Sequence, residues 1–285
     1  MIYVFFNPLS NNKKGTLAEI ELRKIFAEKE LEFVDITTVK NAADELKKLN
    51  EDDEIVIAGG DGTLTRFADD IYDIKNKQKI FLYPCGSGND FFNDIKATCE
   101  FENKLVPINK YLESLPEVSV NGIKRHFING IGYGIDGYCC EEGDRIRSTS
   151  DKKVNYTLIA LKGLLFKFKA RNATITVDGE TKSYKKVWLA PTMIGRFYGG
   201  GMMITPMQDR LNKEKLVTAA VCHSATKYKI LTVFPKVYKG NHVSHTEILE
   251  FRTGHEVTVE FDKPTALQID GETVRNVISY SVKYN

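Results

Sequence analysis

The sequence predicts two domains of different class: an α/β domain over residues 1–112 built on a parallel, doubly wound sheet, and a mainly antiparallel β-sandwich over residues 113–276. Three observations carry this reading. Short apolar runs alternate with amphipathic stretches up to about residue 110, and two strand-to-helix turns in that part are rich in glycine. Beyond it, Asn-Gly and Asp-Gly pairs sit between strand-like runs. Residues 277–285 read as one more strand, able to return to the first domain.

Residues 2–6 form a run suited to a buried strand, followed by a loop of Asn, Ser, Lys and Gly. Leu17, Ile20, Lys24 and Ile25 then predict a helix with one apolar face. Residues 32–36 give a second strand, and Ala42, Ala43, Leu46 and Leu49 a second helix. The third strand, 55–58, runs into Gly59-Gly60-Asp61-Gly62-Thr63, after which Leu64, Phe67, Ala68 and Ile71 mark a helix. Residues 80–83 repeat the scheme and lead into Pro84-Cys85-Gly86-Ser87-Gly88-Asn89-Asp90.

In the second part, residues 118–120 and 124–131 flank Asn121-Gly122, and 173–177 and 182–190 flank Asp178-Gly179. Residues 215–221, 246–251 and 257–261 supply further strands. One helical stripe consists of Val154, Leu158, Leu161, Leu165 and Phe168, with Lys152, Lys153, Lys162, Lys167 and Lys169 around it. Another helix spans about 226–238, where Pro235 is expected to kink or end it.

Bulk composition narrows the function. Forty Lys and Arg against 38 Asp and Glu, a net of +2, give no reason to expect a nucleic-acid partner. The five cysteines are odd in number and lack C-x-x-C spacing, which argues against a disulfide framework or structural zinc and for a reducing cytoplasm. The N-terminus lacks a basic segment ahead of a long apolar run, and no later stretch approaches the roughly 18 apolar residues of a spanning helix. A soluble cytoplasmic protein, peripheral to the membrane at most, is expected.

The two glycine-rich turns should share the carboxyl edge of the sheet, where open α/β folds bind ligands. Glycine lets backbone N–H groups approach an anion, and a helix start adds partial positive charge. Thr63 and Ser87 add hydroxyls, and Asp61 a carboxylate suited to a Mg²⁺-bound phosphate. Neither turn is followed by Gly-Lys-Ser/Thr, and neither is G-x-G-x-x-G.

Gly59-Gly60-Asp61-Gly62-Thr63 resembles the GGDGT signature shared by diacylglycerol kinases, sphingosine-type kinases and NAD kinases. Pro84-x-Gly86-Ser87-x-Asn89-Asp90-Phe91 separates them, since it resembles the P-x-GT-x-NDF motif of the diacylglycerol-type lipid kinases. Asn7-Pro8-x-Ser10, Thr37, Gly132-x-Gly134-x-Asp136, the basic stretch 152–169, Gly199-Gly200-Gly201-Met202-x-x-x-Pro206 and Gln268-x-Asp270-Gly271-Glu272 follow that family's pattern in order.

The resemblance implies an NAD kinase/diacylglycerol kinase-like fold with ATP in a cleft between two domains. The nucleotide site would comprise Asn7, Thr37, Gly59, Gly60, Asp61, Gly62, Thr63, Gly86, Ser87 and Gly88, with Mg²⁺ as cofactor. Glu272 or Asp270 would take the proton from a lipid hydroxyl, diacylglycerol being the default acceptor. Another hydroxylated lipid, and a non-catalytic nucleotide- or lipid-binding regulator, are the alternatives. The partner would be lipid at a membrane surface; a homodimer is left open. Read without the resemblance, Asp270-Gly271 is also a hairpin tip with Glu272 a solvated neighbour. One stretch departs from the pattern. Where the family carries an Asp-Gly pair whose Asp helps hold Mg²⁺ through water, Lys213 and Glu214 stand here, and Asn11-Asn12-Lys13-Lys14 replaces the family's Ser-Gly. Either the Lys213 ammonium stands in for a structural metal, or that site is lost.

Overall fold

Five strands rich in β-branched and aromatic residues build the sheet of the first unit, Met1–Leu115. The computed structural model describes residues 1–8, 10, 15–74, 76–149 and 154–285, the side chains of 15 and 16 excepted. The Asn11-Asn12-Lys13-Lys14 loop and the lysines Lys152 and Lys153 lie outside the described residues. Strands β1 (Ile2–Phe6), β2 (Leu31–Asp35), β3 (Glu54–Gly59) and β4 (Lys79–Pro84) are parallel, in the order β2-β1-β3-β4. The short β5 (Val106–Pro107) pairs antiparallel with β4. Helices α1 (Gly15–Ile25), α2 (Ala42–Leu46), α3 (Asp61–Ile71) and α4 (Asp90–Ile95) follow β1 to β4 in turn, and α5 (Asn109–Leu112) follows β5.

Both faces of this sheet are covered. Ile2, Val4, Val56 and Ala58 pack with Ala18 and Leu22 of α1, while Phe5 points the other way to Phe67 of α3, ring centroids 5.3 Å apart. The α1 face differs from the expected one: Leu17 and Ile20 are exposed, and Ala18 and Leu22 are buried. Ala18 and Leu22 are joined by Ile25, one of the expected residues, which is partly buried against the same cluster.

The second unit, Pro116–Asn285, is an antiparallel sheet that turns on one long strand. Its strands are β6 (Glu117–Val120), β7 (Ile123–His126), β8 (Gly130–Tyr133), β9 (Arg171–Val177), β10 (Glu180–Val187), β11 (Thr192–Met193), β14 (Val217–Cys222), β15 (Leu249–Gly254), β16 (Glu256–Ile269) and β17 (Glu272–Lys283). A separate ribbon joins β12 (Phe197–Tyr198) to β13 (Met202–Met203). The first half of β16 pairs with β9 and its last residues with β8, with irregular register near Pro264 between them. One strand thus serves two arms of the sheet, which enclose a core including Val118, Ile175, Val221, Val259, Phe261 and Tyr280.

Helices α6 (Ile135–Thr149), α7 (Tyr156–Lys162) and α8 (Lys227–Val237) complete this unit. The stripe expected along 154–168 is displaced. Leu158 and Leu161 are exposed, while Ile159, Leu164 and Phe168 are buried. The displacement is already set in α7, where Ile159 is the buried residue, and the π-helical turn Gly163–Lys167 that follows changes the phase beyond it, with Phe168 buried as expected. Helix α8 is capped by Thr226 and runs past Pro235 to Val237. The final strand does not return to the first sheet: it is the end of β17, paired with β16 and β6. Its partners' alternating buried residues give it a core to join there.

Candidate active site

Parallel pairing puts the ends of β1 to β4 at one edge of the first sheet, and every residue expected to meet a nucleotide lies there. Asn7 follows β1, its N–H donating to the Ala58 carbonyl of β3 at 3.4 Å. Thr37 is exposed just past β2, its N–H and hydroxyl both donating to Asp35 Oδ1 at 2.8 and 2.7 Å. Gly59 and Gly60 end β3 and cap α3. A Cβ on Gly59 would lie 2.5 Å from the Thr63 side chain. One on Gly86 would lie 2.3 Å from the Gly60 Cα, so the two turns touch backbone to backbone.

The second turn is closed on itself and tied to the first. Asn89, at φ 53°, accepts from the Gly86 N–H and donates to the Gly86 carbonyl, both at 3.0 Å. The Asn93 amide donates to the Gly88 carbonyl at 3.1 Å, which leaves Ser87 exposed at the tip. Asp61 has a task the sequence did not suggest. Its two oxygens accept the backbone N–H groups of Asp90 and Phe91, each at 2.9 Å, and so it starts α4. Gly62 differs from its neighbours: it is exposed, and a Cβ there would meet nothing within 4 Å.

In the second unit, Asp270-Gly271 is the tip of the β16–β17 hairpin, at φ 45° and 93°. The Asp270 carboxylate accepts three backbone N–H groups, from Ile128 at 2.7 Å, Asn129 at 3.0 Å and Gly130 at 2.9 Å. This explains why the run expected at 124–131 is two strands: the donors between β7 and β8 point to Asp270 instead of a ladder. Glu272, one residue past the tip, has a side chain 56% exposed and forms an ion pair with Arg125. Gln268 is buried and its Oε1 accepts the Gly271 N–H at 2.5 Å.

Behind that hairpin lies Asp136, at the start of α6. Its Oδ1 accepts the Gly137 N–H at 3.0 Å and its Oδ2 the Tyr198 hydroxyl at 3.1 Å. Burial pushes its carboxyl up to about 6, against which these hydrogen bonds work. A Cβ on Gly132 would come within 2.4 Å of both Asp136 Oδ2 and Gln268 Nε2, so this glycine makes room for the two side chains to converge. Tyr198 precedes Gly199, Gly200 and Gly201, all at positive φ, which turn the chain from β12 into β13.

The departing segment holds no metal cage. Lys213 and Glu214 are exposed, and Asp209 Oδ1 accepts the Leu211 N–H at 3.0 Å. Among the described residues no three His, Cys, Asp or Glu side chains are grouped to hold a metal ion. The residues present do not fit a structural Mg²⁺ at this segment. Sequence reasoning missed Arg125, Arg210 and the Asp136–Tyr198 pair. Only Asp136 carried a signal, through Gly132-x-Gly134-x-Asp136.

The family described as "Diacylglycerol kinase catalytic domain" matches residues 1–116, and that described as "YegS C-terminal NAD kinase beta sandwich-like domain" matches residues 129–280. A diacylglycerol kinase of Mycobacterium tuberculosis (strain CDC 1551 / Oshkosh) is 25% identical over 222 residues, covering 74% of this chain and 67% of that protein. One from Bacillus subtilis (strain 168) is 22% identical over 228 residues, covering 79% of this chain and 72% of that protein. A crystal structure of a diacylglycerol kinase from Bacillus anthracis str. Sterne aligns with a TM-score of 0.61 at 14% identity, covering 100% of this chain and 96% of that one. At that identity the likeness speaks for the fold alone.

Proposed function

Because the chain belongs to the diacylglycerol kinase and lipid kinase family, we propose that it transfers the γ-phosphate of ATP to a lipid hydroxyl, with diacylglycerol as default acceptor. The observation that carries the donor half is Gly62. Gly62 is the second residue of α3, exposed and with nothing within 4 Å of where a Cβ would stand, so the start of this helix is open to a phosphate that its backbone N–H groups would meet. Asn7, Thr37, Gly59, Gly60, Thr63, Gly86, Ser87 and Gly88 line the same edge and would complete the nucleotide site, with Mg²⁺ arriving on the nucleotide and offsetting its charge. Asp61 would serve by joining the two turns.

The acceptor half rests on the hairpin tip. Phosphoryl transfer needs the acceptor oxygen positioned and its proton removed as the O–P bond forms and the bond to the ADP leaving oxygen breaks. Asp270 is committed to three N–H donors, whereas Glu272 is accessible and oriented by Arg125. Glu272 is therefore the proton acceptor in this reading and Asp270 the residue that positions it.

A membrane-facing surface fits an insoluble acceptor. Leu158, Leu161 and the 78% exposed Phe166 stand beside Lys162 and Lys167, and the Lys227 ammonium binds the Leu165 carbonyl, drawing the start of α8 and exposed Tyr228 to this turn. Apolar and aromatic groups ringed by lysines suit an anionic bilayer. Phe166→Ala should weaken sedimentation with phosphatidylglycerol vesicles severalfold and leave turnover in mixed micelles unchanged.

The deciding experiment is transfer of labelled γ-phosphate from ATP to a panel of lipids in mixed micelles with Mg²⁺. Label in one lipid class, with a raised KM for ATP in Gly62→Ala, is the expected result. No label in any lipid from protein that binds ATP would overturn the reading.

A further inference from the structure

The backbone between β7 and β8 is gripped from two sides. On one side Asp270 binds its N–H groups. From the other side comes Arg210, only 6% exposed. Its Nη1 donates to the Ile128 carbonyl and its Nη2 to Asn129 Oδ1, the latter at 2.9 Å. Asn129 is itself 3% exposed. A guanidinium so deeply buried is costly to desolvate and is retained where its fork of donors is matched by fixed acceptors.

The loop that delivers Arg210 is closed by amides. Gln208 Nε2 donates to the Leu216 carbonyl at 2.8 Å, and Thr218 Oγ1 to Gln208 Oε1 at 2.5 Å. Asn212 accepts the Leu216 N–H at 2.6 Å and donates to the Leu216 carbonyl at 3.1 Å. Lys213 stands exposed on the outside of this loop. The exposed Lys213 is not placed to act as a fixed cation, and the residues present agree with the other alternative, a lost metal site; the buried cation of this loop is Arg210.

We infer that Arg210 is a positioning residue for the Asp270-Gly271-Glu272 turn, its buried guanidinium supplying the fixed charge for which the family pattern uses a metal-binding acidic segment. Arg210 holds 128–129 by their acceptors, Asp270 holds 128–130 by their donors, and the hairpin tip carrying Glu272 is set against that strip. Because this support is made by hydrogen bonds from Arg210 to backbone and side-chain acceptors, it is independent of divalent cations. The activity arm of this inference rests on the kinase reading; its metal and exchange arms do not.

The experiment has three arms on the full chain. Nucleotide-free protein is titrated with Mg²⁺ and Mn²⁺ by calorimetry and melted with and without EDTA. No binding and an unchanged Tm are expected; a stoichiometric Mn²⁺ site or a Tm raised by several degrees overturns the inference. Amide hydrogen exchange is then compared between wild type and Arg210→Ala, or Arg210→Lys should the alanine variant not fold. Faster exchange at residues 128–130, with the first unit unaffected, is expected, and unchanged exchange there overturns it. In the third arm Arg210→Ala should lower kcat by up to about 100-fold, the cost of a small misplacement of a reacting group, with KM for ATP unchanged. Added guanidinium should restore part of it, methylammonium should not, and Lys213→Ala should match wild type. Wild-type kcat in Arg210→Ala overturns the inference; absence of turnover in wild type itself overturns the kinase reading, and the first two arms then decide.

Discussion

The tetrapeptide Asp-Gly-Glu-Thr occurs twice in the second unit, at 178–181 and at 270–273, and the two copies fold alike. Each is the tip of a hairpin with both central residues at positive φ, 47° and 84° in the first and 45° and 93° in the second. In each the aspartate accepts backbone N–H groups from a neighbouring segment, and in each the glutamate stands by an arginine, Arg252 or Arg125. What differs is the environment. Asp178 is exposed and binds the N–H groups of His255 and Glu256 at a surface connection. Asp270 interrupts a strand to bind three, with Gln268, Asp136 and Arg210 behind it. The turn chemistry is generic; buried polar groups behind the second copy distinguish it.

The sharpest way to break that distinction is to treat both copies identically. Glu272→Gln should lower lipid-dependent kcat on the order of 10²–10⁴-fold, the range for loss of a general base, while Glu180→Gln should leave it unchanged. Equal losses, or none, would show that the second copy has no special role. Stability comes next. Asp270→Asn should cost about 2–3 kcal/mol in urea unfolding and Asp178→Asn about 1 kcal/mol, since the half-buried Asp270 accepts three N–H groups and the exposed Asp178 two. Matching values would make the two turns equivalent scaffolding.

The smallest effect concerns Asp136, present behind the second copy alone. Its carboxyl is raised to about 6 by burial, from an ordinary value of 3.8. The folded protein therefore binds a proton that the unfolded chain has released, so this residue favours folding near pH 4 and progressively opposes it as pH rises through 6. Asp136→Asn should raise stability at pH 8 by on the order of 2 kcal/mol and flatten the decline between pH 4 and 6. A pH profile identical to wild type would remove Asp136 from the polar support.

Most of the scaffold was legible because it follows from periodicity and turn residues. The runs at 55–58 and 80–83 could only be buried strands, and Asn121-Gly122 and Asp178-Gly179 require the hairpins they form. Errors came where one residue's neighbours decide its direction. Leu17 and Ile20 look like a core face, but Ala18 and Leu22 hold it. A π turn at 163–167 cannot be seen from a spacing that presumes 3.6 residues per turn. The candidate site was legible as motifs but not as roles. Asp61 looks like a metal ligand until α4 is seen to begin on it, and Arg210 sits in a polar stretch, Gln208 to Lys215, that reads as solvated.

The contact between Gly60 and Gly86 has a consequence for how this protein could change over generations. Two residues in contact normally vary in concert, one growing as the other shrinks. Here both already have the smallest side chain in the genetic code, so enlargement of either has no compensating partner. A lineage can alter this meeting point only by moving one of the two turns, and Asp61 and Asn89 pin both. If this edge binds a phosphoryl donor, as proposed, new donor preferences would have to arise at the exposed positions around it, such as Thr37 and Ser87, with the glycine pair left as an inherited fixture.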